Sequence, residues 1–155
     1  MVDAYFLDSS ALLKRYVPEV GTAWIQSITN AQNQNLLIVA HITWVEISSA
    51  VARRQREGNI SSIQANQILA AFRAHWNSQY FIVAIDNTVI DLAGQLVNQH
   101  PLRAYDAVQL AAALSLQKQL SPPSVTSFTF LTADTRLLAI AQAENLLADD
   151  PNLHP

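Results

Sequence analysis

Four short, apolar, β-prone runs recur along this chain: AYFL at 4–7, LLIVA at 36–40, YFIVAI at 80–85 and FTFLT at 128–132, each followed by a longer stretch with helical patterning. Apolar runs of this length suit strands that are covered on both faces. Strands that alternate with helices imply crossover connections and a parallel sheet. The expected fold class is therefore α/β: a three-layer α/β/α sandwich around a central parallel sheet. At 155 residues, the chain 1–155 reads as a single domain.

The intervening sequence predicts helices at Ser10 to Tyr16, interrupted by Pro18, and at Val20 to Ala31. Further helices are expected at Thr43 to Glu57, stopped by Gly58, and from a Ser61 or Ser62 cap to about Asn77. The rest run from an Asp86 or Asn87 cap to about Gln99, from Arg103 to Gln119, and from Asp134 to Asn145. Ser121 to Ser127 reads as a turn-rich loop, and Leu146 to Ala148 as a short final strand.

Composition narrows the function classes. There is no Cys, which excludes disulfides, zinc-thiolate sites and cysteine nucleophiles. Nine basic against 12 acidic residues leave a net charge of −3. Bulk electrostatics therefore do not favour nucleic acid, and any such contact needs local cations or a bridging metal ion. The N-terminal MVDAYF has neither a basic region nor a long apolar segment, and the apolar stretch from Leu36 is interrupted by His41 and Glu46. No membrane association and a cytoplasmic location are expected.

The acids carry the chemical signal. Asp8 and Asp134 each follow a strand and precede a helix. Each can serve as an N-cap worth about 1 kcal/mol. In HITWVEISS, Thr43 and Glu46 fit a capping box, with Ile42 and Ile47 as the hydrophobic staple. Asp106 opens a helix that is apolar nearly all round, LRAYDAVQLAAAL, where an unpartnered charge is costly. In a parallel sheet, strand ends and the helix starts that follow them share one edge, and ligands bind there. Asp8, Glu46, Asp106 and Asp134 can thus converge although they are far apart in sequence. Gathered carboxylates raise one another's pKa unless a positive charge sits among them. Oxygen donors without Cys or His suit Mg²⁺ or Mn²⁺, and such ions assist phosphodiester hydrolysis.

The stretches YFLDSSALLKRYVPE, HITWVEISSAVARR, LRAYDAVQLAAAL and FLTADTRLLAIAQAENL resemble, in order and spacing, the four acidic motifs of PIN-domain nucleases, and most of all the VapC-type toxins of bacterial toxin–antitoxin pairs. The resemblance spans nearly the whole chain. It implies a PIN-like sandwich and a Mg²⁺- or Mn²⁺-dependent ribonuclease. The family's catalytic and metal-binding acids map onto Asp8, Glu46, Asp106 and Asp134, without departure at any of them. Its small hydroxyl positions map onto Ser9 or Ser10 and onto Thr132, as support behind the acids. It also implies a homodimer, and a small antitoxin seated in the active-site groove.

Arg53 lies two turns beyond Glu46, and Arg103 three residues before Asp106, each on the face of its acid. Both, together with Arg15, are candidate contacts for RNA phosphates, and a surface salt bridge is the plain alternative for each. The competing functions are a PIN nuclease that is not a toxin, a non-catalytic binding module whose acids only cap helices, and an aspartyl phosphatase. Phosphatases of the haloacid-dehalogenase type need a second Asp where this chain has Ser10.

Overall fold

The computed structural model describes residues 2–120 and 125–155. Among these, one sheet contains β1 (Val2–Leu7), β2 (Leu36–Ala40), β3 (Tyr80–Val83), β4 (Val125–Leu131) and β5 (Leu147–Asp149). Neighbouring strands all pair in parallel, in the order β3-β2-β1-β4-β5. The helices are α1 (Ser9–Leu13), α2 (Thr22–Ile28), α3 (Thr43–Arg56), α4 (Ser62–Ser78), α5 (Asn87–Gln99), α6 (Ala104–Gln117) and α7 (Thr135–Ala143).

Successive side chains of a strand point to opposite faces, and here both faces are covered. Ala4, Phe6, Ile38, Ala40 and Phe130 pack under α5, α6 and α7. Leu7, Leu37, Val39 and Leu131 pack under α1 to α4. This is the expected α/β/α sandwich, and it explains why the strands read as continuous apolar runs. Phe6 and Phe130 stack across β1 and β4 with ring centroids 5.6 Å apart. Helix α6 buries Ala107 and the run Leu110 to Leu114 against the sheet, as its all-round apolar sequence requires.

Several element ends differ from the sequence reading. Helix α1 stops at Leu13, and α2 starts only at Thr22, because Gly21 takes a left-handed φ of 86° beside the Pro151 backbone. Helix α2 ends at Ile28, where the Thr29 hydroxyl donates back to the Ile25 carbonyl. Of the expected loop at 121–127, residues 121–124 lie outside the described residues. Residues 125–127 belong to β4, where they pair with the start of β1. The capping box lies on α4, between Ser61 and Gln64. The one expected on α3 does not form: Ile42 holds the cap position, and Thr43 is buried one residue later.

The strand order decides where a site can lie. From β1 the chain steps outward to β2 and β3, then returns to β4 on the other side of β1. The order reverses between β1 and β4, and a crevice opens at their carboxyl ends. Among the described residues no helix is long and apolar enough to cross a membrane.

Candidate active site at the carboxyl edge of the sheet

Strands β1 and β4 deliver Asp8 and Thr132 to the switch point, where the Asp8 N–H donates to the Leu131 carbonyl at 3.1 Å. Asp8 is 4% exposed. Its Oδ1 accepts from the Ala11 N–H at 2.8 Å and from the Ser10 hydroxyl at 2.7 Å, so it does cap α1. Ser10 Oγ also accepts from the Ala133 N–H, and Thr132 Oγ1 accepts from the Asp134 N–H. These two hydroxyls tie the strand ends together. Burial pushes the Asp8 carboxyl up to about 6, against the pull of hydrogen bonds from Ser10, Thr132 and Ala11, and the nearby Glu46 charge raises it further.

Glu46 is not turned back on its own helix. Its Oε1 accepts from Gln109 Nε2 at 2.6 Å, and its Oε2 from the Ser9 hydroxyl at 3.0 Å. Burial raises its pKa, the Gln109 and Ser9 bonds oppose the rise, and Asp106 adds to it. The carboxylate needs a donor, and this fixes which end of the Gln109 amide faces it. The same Nε2 donates to the buried Thr43 hydroxyl at 2.8 Å.

Gln109 was absent from the sequence-based candidates. It is 1% exposed, and its Oε1 has no hydrogen-bond partner among the described residues. Its signal was present: a lone amide in the apolar AVQLAAAL, three residues past Asp106 and therefore on the same helix face.

Asp106 sits half-buried in the first turn of α6. Burial raises its pKa, the Asp134 charge raises it further, and Arg103 opposes both. Asp134 is exposed and caps α7, accepting from the Arg136 and Leu137 N–H groups. The Glu46 charge acts on Asp8, the Asp106 charge on Glu46 and the Asp134 charge on Asp106. The four acids are thus linked one to the next along one edge of the sheet. Among the described residues no three His, Asp or Glu side chains stand close enough together to hold an ion. None of the four is ion-paired there either, since the salt bridges join other residues. In donor chemistry, a set of carboxylate and hydroxyl oxygens with uncompensated charge fits a hard divalent cation.

Beside the acids lies a cleft of about 690 Å³, walled by Glu46, Lys14, Arg53, Arg54 and Arg103. Four of the nine basic residues of a net-acidic chain therefore line this one surface. Lys14 and Arg54 share Glu19 at 3.6 and 3.9 Å. Arg53 and Arg103 are exposed and have no carboxylate within salt-bridge distance among the described residues.

Contrary to the sequence reading, Arg15 lies apart from these cations. It lines a different cavity, of about 820 Å³, with Tyr16 and His75 and without any of the four acids. Because α1 ends at Leu13, the turn that follows directs Arg15 toward α4 and β3. There it donates to the Tyr80 hydroxyl at 2.6 Å and sits over the Tyr16 and Tyr80 rings.

The family model described as PIN domain matches residues 5–143. No curated protein matches the chain in sequence. Among solved structures, the chain is similar to PAE2754 from Pyrobaculum aerophilum, with a TM-score of 0.68 and 19% identity over 99% of this chain and 93% of that one. It is also similar to VapBC2 from Rickettsia felis bound to a DNA fragment from their promoter (TM-score 0.65, 13% identity, 95% and 98% of the chains). A third is a toxin–antitoxin complex from Klebsiella pneumoniae (0.60, 14%, 87% and 90%). At such identities the likeness is one of fold.

Proposed function

The chain belongs to the PIN-domain family, and from that footing we propose that it is a single-domain, divalent-metal-dependent endoribonuclease, the toxin of a toxin–antitoxin pair. The observation that carries the reading is the set of four carboxylates on the carboxyl edge. All four are free of ion pairs among the described residues, and three have raised pKa values. Helix caps alone need no such gathering of like charge, which weighs against a purely structural role for the acids.

In this reading Asp8, Glu46, Asp106 and Asp134 would draw together around Mg²⁺ or Mn²⁺ when it binds, since no three of them stand within reach of one ion without it. When bound, the ion supplies an activated water and neutralises charge on the phosphoryl group. The chain's own residues supply placement. Ser10 and Thr132 set the Asp8 carboxylate, while Ser9 and Gln109 set that of Glu46. Such supporting bonds change metal affinity or activity by about 10- to 100-fold in metal sites generally. Arg53 and Arg103 take RNA phosphates on the cleft wall, the local cations that an acidic chain needs.

The toxin role, with a small antitoxin as partner, is supported by similarity to VapBC2 and to the Klebsiella toxin–antitoxin complex. A homodimer and a cytoplasmic location complete the proposal. The test is cleavage of RNA with Mg²⁺ or Mn²⁺, silenced by EDTA and by Asp106→Asn. Cleavage by that variant at the wild-type rate would refute the site.

A further inference from the structure

A second cavity, of about 410 Å³, adjoins the acidic cleft, and its walls combine the rings of His41, Trp44 and Trp76 with the aliphatic Ile42, Val45 and Ile85 and with Arg73. Ile42 and Val45 line both cavities, so the two form adjoining compartments of one trough. Trp44 is already occupied on its faces. Phe72 stacks on it at 5.0 Å and 14°, and the Arg73 guanidinium lies 3.6 Å from its ring centroid. Trp76 differs. It meets Trp44 and Phe72 at steep angles of 69° and 74°, and its near-parallel neighbour is the exposed ring of His41, 6.2 Å away and 27° off. A closed stack elsewhere in the same chain, Trp24 on His154, stands at 3.9 Å and 7°.

We propose that the pocket between His41 and Trp76 takes one unpaired base of the RNA, next to the phosphodiester presented to the carboxylates. The proposal rests on the nuclease reading for that phosphodiester, and on the trough itself for the base. Every base has a π-face, so ring platforms beside a cationic groove bind single strands with little sequence preference. Arg73 is exposed at the pocket rim, where the strand's backbone enters. A base within a duplex has both faces stacked and cannot enter, so the pocket selects unpaired RNA such as loops, bulges and ends.

The test is binding in EDTA, where cleavage is silent. The probe is a fluorescein-labelled single-stranded oligoribonucleotide short enough to bind in one register, with a companion set in which each nucleotide in turn is abasic. His41→Ala and Trp76→Ala should each raise Kd about 5- to 150-fold, while Trp76→Phe should largely restore binding. One abasic position should weaken wild-type binding by a similar factor and add nothing to His41→Ala. Arg73→Gln should lower the slope of log K against log salt by about 0.7. Equal Kd for the wild type and both Ala variants overturns the proposal, as does duplex RNA that is equally sensitive to His41→Ala. A loss that follows a dimer-to-monomer change in sedimentation also overturns it, making the pocket a seam between two copies. Binding as expected by a chain that cuts no RNA refutes the nuclease reading and leaves the base pocket standing.

Discussion

Replacing Asp8 with Asn should stabilise the metal-free protein while abolishing cleavage. The side chain is 4% exposed, and burial outweighs its three hydrogen bonds. A pKa raised from 3.8 to about 6 means that keeping Asp8 ionised costs the fold roughly 3 kcal/mol. The folded chain binds this proton more tightly than the unfolded chain does. The stability that protonation lends is therefore present below about pH 4 and lost as pH rises through about 6. Asn keeps the acceptor for the Ala11 N–H and is as good an N-cap as Asp, so the substitution removes the charge and little else. At about pH 7.5 in EDTA, Asp8→Asn should be more stable by about 2–3 kcal/mol, or roughly 5–10 °C in Tm. Most of the difference should vanish by about pH 4. Mg²⁺ should raise the Tm of the wild type saturably and that of the variant far less. The assay is thermal and urea unfolding across pH, with and without metal. A variant that is less stable than wild type at neutral pH in EDTA would show that the Asp8 charge is compensated within the fold, and would refute the reasoning.

Four further outcomes follow from the geometry. Gln109→Met removes the 2.6 Å donor to Glu46 and should lower cleavage about 10- to 100-fold; unchanged kinetics would mean that Ser9 alone holds the carboxylate. Arg53→Ala and Arg103→Ala should weaken RNA binding and flatten its salt dependence. Arg15→Ala should leave binding intact and cost about 1–3 kcal/mol of stability through loss of the Tyr80 and His75 contacts, read by denaturant titration. Gly21→Ala places a Cβ 2.3 Å from the Pro151 carbonyl oxygen at a φ of +86°; it should cost about 2–4 kcal/mol in a thermal melt.

Strands and helices were legible because their signals are local. The apolar runs at 36–40 and 80–85 sit between polar turns, and Asp86 lies at a helix start where its side chain bonds the Val89 N–H. Where expectation failed, a distant contact had overridden a local pattern. Thr43 and Glu46 spell a capping box, but Gln109, 63 residues beyond Glu46, draws both side chains toward α6. Val125 to Ser127 read as loop because turn-forming residues precede them, whereas the start of β1 recruits them into β4. Arg15 and Arg53 both follow an acid by seven residues. Only Arg53 stays on its acid's face, since α3 continues past it and α1 ends before Arg15.

By itself, the sequence determined that this chain builds a parallel sheet covered on both sides and that Asp8 and Asp134 lie just past strand ends. Both follow from side-chain periodicity and capping, which act within a few residues. The tertiary structure alone decided that β4 lies against β1, which sets Thr132 beside Asp8. It also brought Ser9 to Glu46 across 37 residues and left Gln109 buried against the same carboxylate. The physical reason is that a carboxylate's environment is made by burial and by partners from other elements, and these exist only once the layers have packed.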